Sequence, residues 1–232
     1  MTPFEKLLLN ISETPIYVVK TGSTYDDYVP LDLTESNTIF NQFDINDTIA
    51  FENYVNDLLA PKDSQVAFGG YLEKRALYKR SNNFNTSNPN TERNIHLGVD
   101  FWCKGFTPVL AALEGKIHSF NNNTALGDYG PTIILEHKIN ETVFYTLYGH
   151  LNNECLIGLK EGDFVKKGQE IAKVGIAPDN GDYAPHLHFQ VINDMLGKKG
   201  DFKGVTSKDE LPVDRLNCPD PNILLKINNL LT

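Results

Sequence analysis

Six histidines occur in the 232-residue chain, and four of them stand at spacings that could do chemistry. His186-Leu-His188-Phe-Gln-Val reads as a strand by composition and alternation. Residues two apart on a strand face the same way, so both imidazoles leave one face while Leu187, Phe189 and Val191 leave the other. With the apolar face in a core, the histidines line a cleft; on an edge strand the same pattern would leave two surface histidines. His96-Leu-Gly-Val-Asp100 adds a second polar pair in apolar surroundings. On a straight strand these two would stand about 13 Å apart, so a shared ion requires a bend, which Gly98 would permit. His150 comes where the apolar run of residues 144–149 ends, a place from which a polar side chain can enter a site. His118 and His137 lie in alternating strands without a partner motif and read as solvent-facing or satisfied structural histidines.

Together His96, Asp100 and His188 offer two neutral nitrogens and one carboxylate. Three protein ligands of these types with a fourth position open are the pattern of a catalytic zinc centre, whereas structural sites are closed by four. His150 and His186 would then be proton-transfer groups beside the metal. Residue types and spacing lead this far and no further.

The elements that must carry these side chains are mostly strands. From residue 95, short apolar or alternating runs recur between Gly, Asn and Asp punctuation at 109–113, 116–120, 132–137, 143–148, 163–165, 170–174 and 186–192. Regular short strands with turns between them predict a mostly β, antiparallel domain over 83–232. A helix starting at Pro221 would dock its apolar residues at the C-terminal end. Residues 1–82 read as an α/β extension serving as lid, groove wall or small domain. Within it Ile16-Tyr17-Val18-Val19 predicts a strand, and Asp47 caps a helix from about residue 48 to 59 that Pro61 stops. The locally basic stretch 69–81 reads as a solvated face, with substrate-carboxylate binding by Arg75 or Arg80 as the alternative. The Asn-rich stretch 82–94 reads as a surface loop.

Composition bounds the function class. Hydrophobic residues make up 41% and charged residues 22%, the balance of a globular chain with a real core. A net charge of −9 argues against nucleic acid or an anionic membrane surface as partner. The three cysteines are far apart and include no C-x-x-C pair, so they read as reduced structural thiols. The first residues lack the basic start and long apolar run of a secretory signal, and no integral membrane segment is expected. The chain as it stands therefore reads as cytoplasmic, or as secreted or periplasmic if a targeting segment has been removed. Nothing in the sequence speaks to oligomeric state.

His96-Leu-Gly-Val-Asp100, Tyr148-Gly-His150-Leu151 and His186-Leu-His188-Phe189, in this order, resemble the LytM/lysostaphin-type zinc endopeptidases. Thr107-Pro-Val-Leu-Ala111 with Gly115-Lys-Ile117 is similar to a hairpin of that family, and Gly162-Asp-Phe-Val-Lys-Lys-Gly-Gln169 with Ile171 and Gly175 to its following segment. The resemblance covers residues 94–193. It implies an antiparallel β-sheet core with a groove across one face, one zinc ion per chain on His96, Asp100 and His188, and His150 and His186 as the catalytic pair. It further implies hydrolysis of peptide bonds in peptidoglycan-type peptides. Family members commonly carry an Asn shortly after a Tyr-Gly turn, where this chain reads Tyr129-Gly-Pro-Thr132. The phrase at 128–137 and Cys218-Pro-Asp-Pro-Asn222 look closer to a subgroup fused elsewhere to an aminotransferase-like domain.

Two rivals come from other classes. A binding or regulatory protein on the same fold would be expected to have lost ligands or catalytic histidines, and all five are present. A biotin- or lipoyl-carrier sandwich would leave the histidine motifs unexplained, and Lys166-Lys167 lack its modification setting. Because ligand and base histidines must be neutral, activity is expected to fall below about pH 6.

Overall fold

The computed structural model describes residues 1–80, 84 and 88–227. Its strands in chain order are β1 (Val29–Pro30), β2 (Ala67–Gly69), β3 (Arg93–His96), β4 (Val99–Trp102), β5 (Pro108–Leu110) and β6 (Gly115–Asn123). They continue with β7 (Gly130–Ile139), β8 (Thr142–Gly149), β9 (Phe164–Val165), β10 (Glu170–Lys173), β11 (His186–Ile192) and β12 (Val205–Ser207). The helices are α1 (Pro3–Ile11), α2 (Thr48–Leu59), α3 (Leu211–Asn217) and α4 (Asn222–Leu225).

The alternating runs of the second half become one eight-stranded sheet in the order β1-β2-β4-β11-β8-β7-β6-β9. Every pairing in it is antiparallel except β1 with β2. Two short antiparallel ladders, β5 with β10 and β3 with β12, complete a mostly β architecture. On one face Val99, Phe101, Leu187, Phe189 and Val191 are fully buried in a core that Leu8 of α1, Val18 and Leu224 of α4 close over. Those odd-numbered residues of β11 commit its even-numbered ones, His186, His188 and Gln190, to the other face.

α2 is placed as expected. Its N-cap Asp47 accepts from the amides of Ile49 and Ala50, and Phe51, Val55 and Leu59, one turn apart, are its buried face. That face packs with Val29, Leu31, Ala67, Trp102 and Ala184, which sets α2 against the β2–β4 side of the sheet. α1 starts with a capping box between Thr2 and Glu5, and Lys226 reaches back to the Leu9 carbonyl at 2.8 Å.

Several local expectations change. Residues 16–19 do not form a strand: Val19 makes one isolated bridge to Val109, and Ile16 donates instead to the Leu225 carbonyl. The run is apolar because it plugs the space between α4 and β5, with Ile16, Val18 and Val19 all buried, and not because it lies in a ladder. Within 69–81, Arg75 is only 2% exposed, so this part of the basic stretch is not a solvated face. The C-terminal helix is a single turn that ends at Lys226 in the left-handed region, and residues 228–232 lie outside the described ones. Residue 81 and, of the Asn-rich stretch, residues 82–83 and 85–87 also lie outside them. No helix among the described residues is long and apolar enough to cross a membrane.

Candidate metal centre and active-site cleft

Four strands, β3, β4, β8 and β11, carry or end beside the five residues singled out by sequence. In the β4–β11 register Asp100 stands opposite His188 and Trp102 opposite His186. His188 also faces Gly149 at the end of β8, which puts His150 just beyond. His96 ends β3, and the chain bends at Leu97–Gly98 before β4 begins, so the straight-strand separation does not apply. A side chain at Gly98 would put its Cβ 2.5 Å from Cε1 of His188. Gly98 is therefore needed for close approach, and its φ is not in the left-handed region. His150 is, at φ 60°, where its carbonyl accepts from Gly175 and its amide donates to Tyr129.

Four histidine rings are held in defined tautomers by groups that cannot donate. A backbone carbonyl only accepts, so the ring nitrogen facing one carries the proton. His96 Nδ1 donates to Gly70 O at 2.9 Å, His150 Nδ1 to Asn180 O at 2.8 Å, and His186 Nδ1 to Ala184 O at 2.8 Å. All three thus present a bare Nε2. His188 is the reverse case. Gln190 spends its amide nitrogen on the Lys203 carbonyl and Cys218 Sγ, which turns its Oε1 to His188 Nε2 at 3.0 Å. That nitrogen is the protonated one, and Nδ1 is bare.

The consequence is three facing electron pairs. His96 Nε2 and His188 Nδ1 are 2.9 Å apart, and Asp100 Oδ1 lies 3.0 Å from the second and 3.3 Å from the first. With both tautomers set from outside, no proton is left to sit between these atoms. Such a cluster repels itself unless a cation occupies its centre, and two imidazoles with a carboxylate are donors that suit zinc. These three residues are the one group of potential metal ligands found among the described residues.

Charge arrangement supports the same protonation states. Burial, then Arg75, pushes the His96 pKa down to about 3, against a smaller upward pull from Asp100. Burial alone would raise the Asp100 carboxyl, but His96 and Arg75 beside it hold it well below the usual carboxylate range. Burial, then the neighbouring His186 and His188, holds His150 well below an ordinary histidine. Burial also lowers His186.

The cluster opens on a cleft of about 400 Å³. His150 and His186 lie together in it, with ring centroids 4.2 Å apart, and Tyr183 meets both rings edge-on. Trp102 stacks under His186 at 5.4 Å, and Phe51 of α2 meets Trp102 edge-on. Tyr129 contributes its ring beside His150 and His188, with its hydroxyl 3.3 Å from His188 Nε2. His137, by contrast, is buried away from the cleft, bonded to Glu114 O and Thr146 Oγ1 at 2.7 Å each, and is a satisfied core histidine. His118 is half-buried against Tyr145.

Sequence reasoning missed several supporting residues. Gln190 was within reach of it, since it is the next residue on the His186–His188 face. Tyr129 lies in the segment where the chain departs from the family pattern. Gly70, Trp102 and Tyr183 gave no spacing signal. Arg75 does not serve as a surface carboxylate binder; its guanidinium is spent on Asp100 and Glu73.

A sheet face carrying a candidate metal-ligand trio beside paired histidines is an arrangement that suits metal-assisted hydrolysis. Residues 94–201, a little under half of the chain, match the model of peptidase family M23. Peptidoglycan DD-endopeptidase ShyB of Vibrio cholerae is 33% identical over 129 residues, which are 54% of this chain and 28% of that protein. Lysostaphin of Staphylococcus staphylolyticus is 34% identical over 119 residues, 51% of this chain and 22% of that protein. The solved structure of lysostaphin from Staphylococcus simulans aligns with a TM-score of 0.37 at 31% identity, covering 56% of this chain and 44% of that one. The chain spans about a quarter of the length of the curated relatives it matches.

Proposed function

We propose that the chain is a zinc-dependent endopeptidase that cleaves peptide bonds in peptidoglycan-type peptides, with residues 1–82 as a wall of its groove. The observation that carries this reading is the set of four histidines whose tautomers are fixed so that every bare nitrogen is available at the cleft. His96, Asp100 and His188 would hold one zinc ion. A bound ion of this kind supplies Lewis acidity toward water and toward a carbonyl oxygen.

The remaining work falls to the chain. His150 Nε2 and His186 Nε2 are the proton carriers: one takes the proton of the attacking water, and the pair returns a proton to the amine that leaves. Their Nδ1–H bonds to carbonyls hold the rings in plane and stabilise each imidazolium while it lasts. Tyr183 and Trp102 pack against the rings and limit water around them. Peptidoglycan as the substrate class follows from the name of the Vibrio cholerae relative.

Metal analysis of the purified protein, paired with digestion of defined peptidoglycan peptides and unrelated peptides, tests the reading. Zinc near one per chain, with cleavage abolished by a chelator and restored by zinc, is expected. His188→Ala should lose both metal and hydrolysis; His150→Ala should keep the metal and lose roughly 10²–10⁴-fold in turnover. Zinc near one per chain with no cleavage of any peptide would make the chain a binding or regulatory protein instead.

A further inference from the structure

Asp100 is a divided carboxylate. Its Oδ1 faces the two histidine nitrogens, and its Oδ2 lies 2.6 Å from Arg75 Nη1. Both side chains are 2% exposed, so water does not weaken the pair. Arg75 is itself held at several points. Its Nε donates to Glu73 Oε2 at 2.9 Å, its guanidinium carbon lies 5.6 Å over the Trp102 ring, and its Nη2 fills the space where a Cβ at Gly70 would be, 1.9 Å away. Glu73 is anchored in turn by the amide of Leu33. The same short segment supplies the Gly70 carbonyl that sets the tautomer of His96.

We propose that Arg75 is a positioning residue of the metal centre: it keeps Asp100 a one-oxygen ligand and holds the donor trio assembled before the ion arrives. A carboxylate with both oxygens free can swing to bind an ion through two; with Oδ2 claimed by Arg75 Nη1, only Oδ1 is available. The cation also offsets part of the repulsion between Asp100 and the two facing nitrogens. The Trp102 ring, which carries the Arg75 guanidinium and stacks with His186, links that cation to the His186 ring as well. Arg75 lies outside residues 94–201, so the centre is completed by a segment that the family match does not include.

The inference rests on the zinc-centre reading and is tested with the full chain. Arg75→Lys keeps the charge but loses the fork that serves Asp100 and Glu73 together. We expect it to fold with an unfolding midpoint close to the parent protein, yet to bind zinc 10–100-fold more weakly in competition with a chromophoric chelator. Loading with Co(II) should then give weaker visible absorption bands than in the parent, as Asp100 turns to two-oxygen binding and coordination number rises. Glu73→Gln, which removes only the outer anchor, should shift affinity in the same direction by less. Arg75→Lys with parental zinc affinity and an unchanged Co(II) spectrum overturns the proposal, and so does failure of both variants to fold, which would make the segment part of the scaffold alone. A parent protein that binds no zinc defeats the underlying reading rather than this one.

Discussion

At the scale of single residues, what matters at this site is where protons are not. Carbonyls at residues 70, 180 and 184 and the amide of Gln190 each claim one ring nitrogen, and the other nitrogen is left bare by subtraction. This has a pH consequence. On the proposed mechanism, protonating His150 or His186 removes the base, and burial lowers both below the ordinary histidine value of about 6.5. A depressed pKa means the neutral form survives to lower pH, so the acidic limb of kcat/KM should fall clearly below 6.5; a limb at or above that value would show that these histidines are not the groups that titrate. That the five candidate residues come together was legible in the sequence because chemistry-bearing side chains alternated with apolar ones, and alternation is a statement about faces. Arg75 was not legible: a cation among cations, with no partner at a fixed spacing, looks like surface until the sheet brings Asp100 to it.

At the scale of elements, the site is a product of close strand approach. The β3–β4 bend lets His96 and Asp100, four residues apart, meet across it, and Gly98 leaves room for the His188 ring. Gly98→Ala must push that ring away from its bare-nitrogen partners. We expect zinc affinity to fall at least 10-fold while far-UV circular dichroism stays near the parent spectrum, and a parental affinity would show that the ring has space to spare. The strands from residue 115 to 192 could be read from alternation because each buries one face. β1 and β2 could not. They are two and three residues long and lie between loops; β2 is a strand because β4 offers it an edge, and β1 because β2 does. Residues 16–19 are the opposite error, in which burial without a ladder produced a strand-like run.

At the scale of the whole molecule, the N-terminal segment and the family domain share one sheet. Without residues 1–82 the chain would lose β1 and β2, uncover Trp102 beside Phe51 and Ala67, and strip Gly70 and Arg75 from the metal centre. A fragment of residues 83–232 is therefore expected to be insoluble or to lose zinc, measured by solubility and metal content after purification; a soluble fragment with full zinc would mean that the two parts are energetically separate. The ends of the sheet carry a further consequence. One end is β1, two residues long, where Pro30 has no amide hydrogen to offer. The other is β9, also two residues, while the exposed side of β6 is occupied by Gly162 at Ile117 and by Gly200 at Ser119 and Asn123. Among the described residues, neither terminal strand, each two residues long, offers a row of backbone groups on which a second chain could be added as a strand. An extended ligand is thereby denied the commonest cheap handhold on a β protein, recruitment by main-chain zippering at a border, and must be told apart by the shapes and charges it lays across the face.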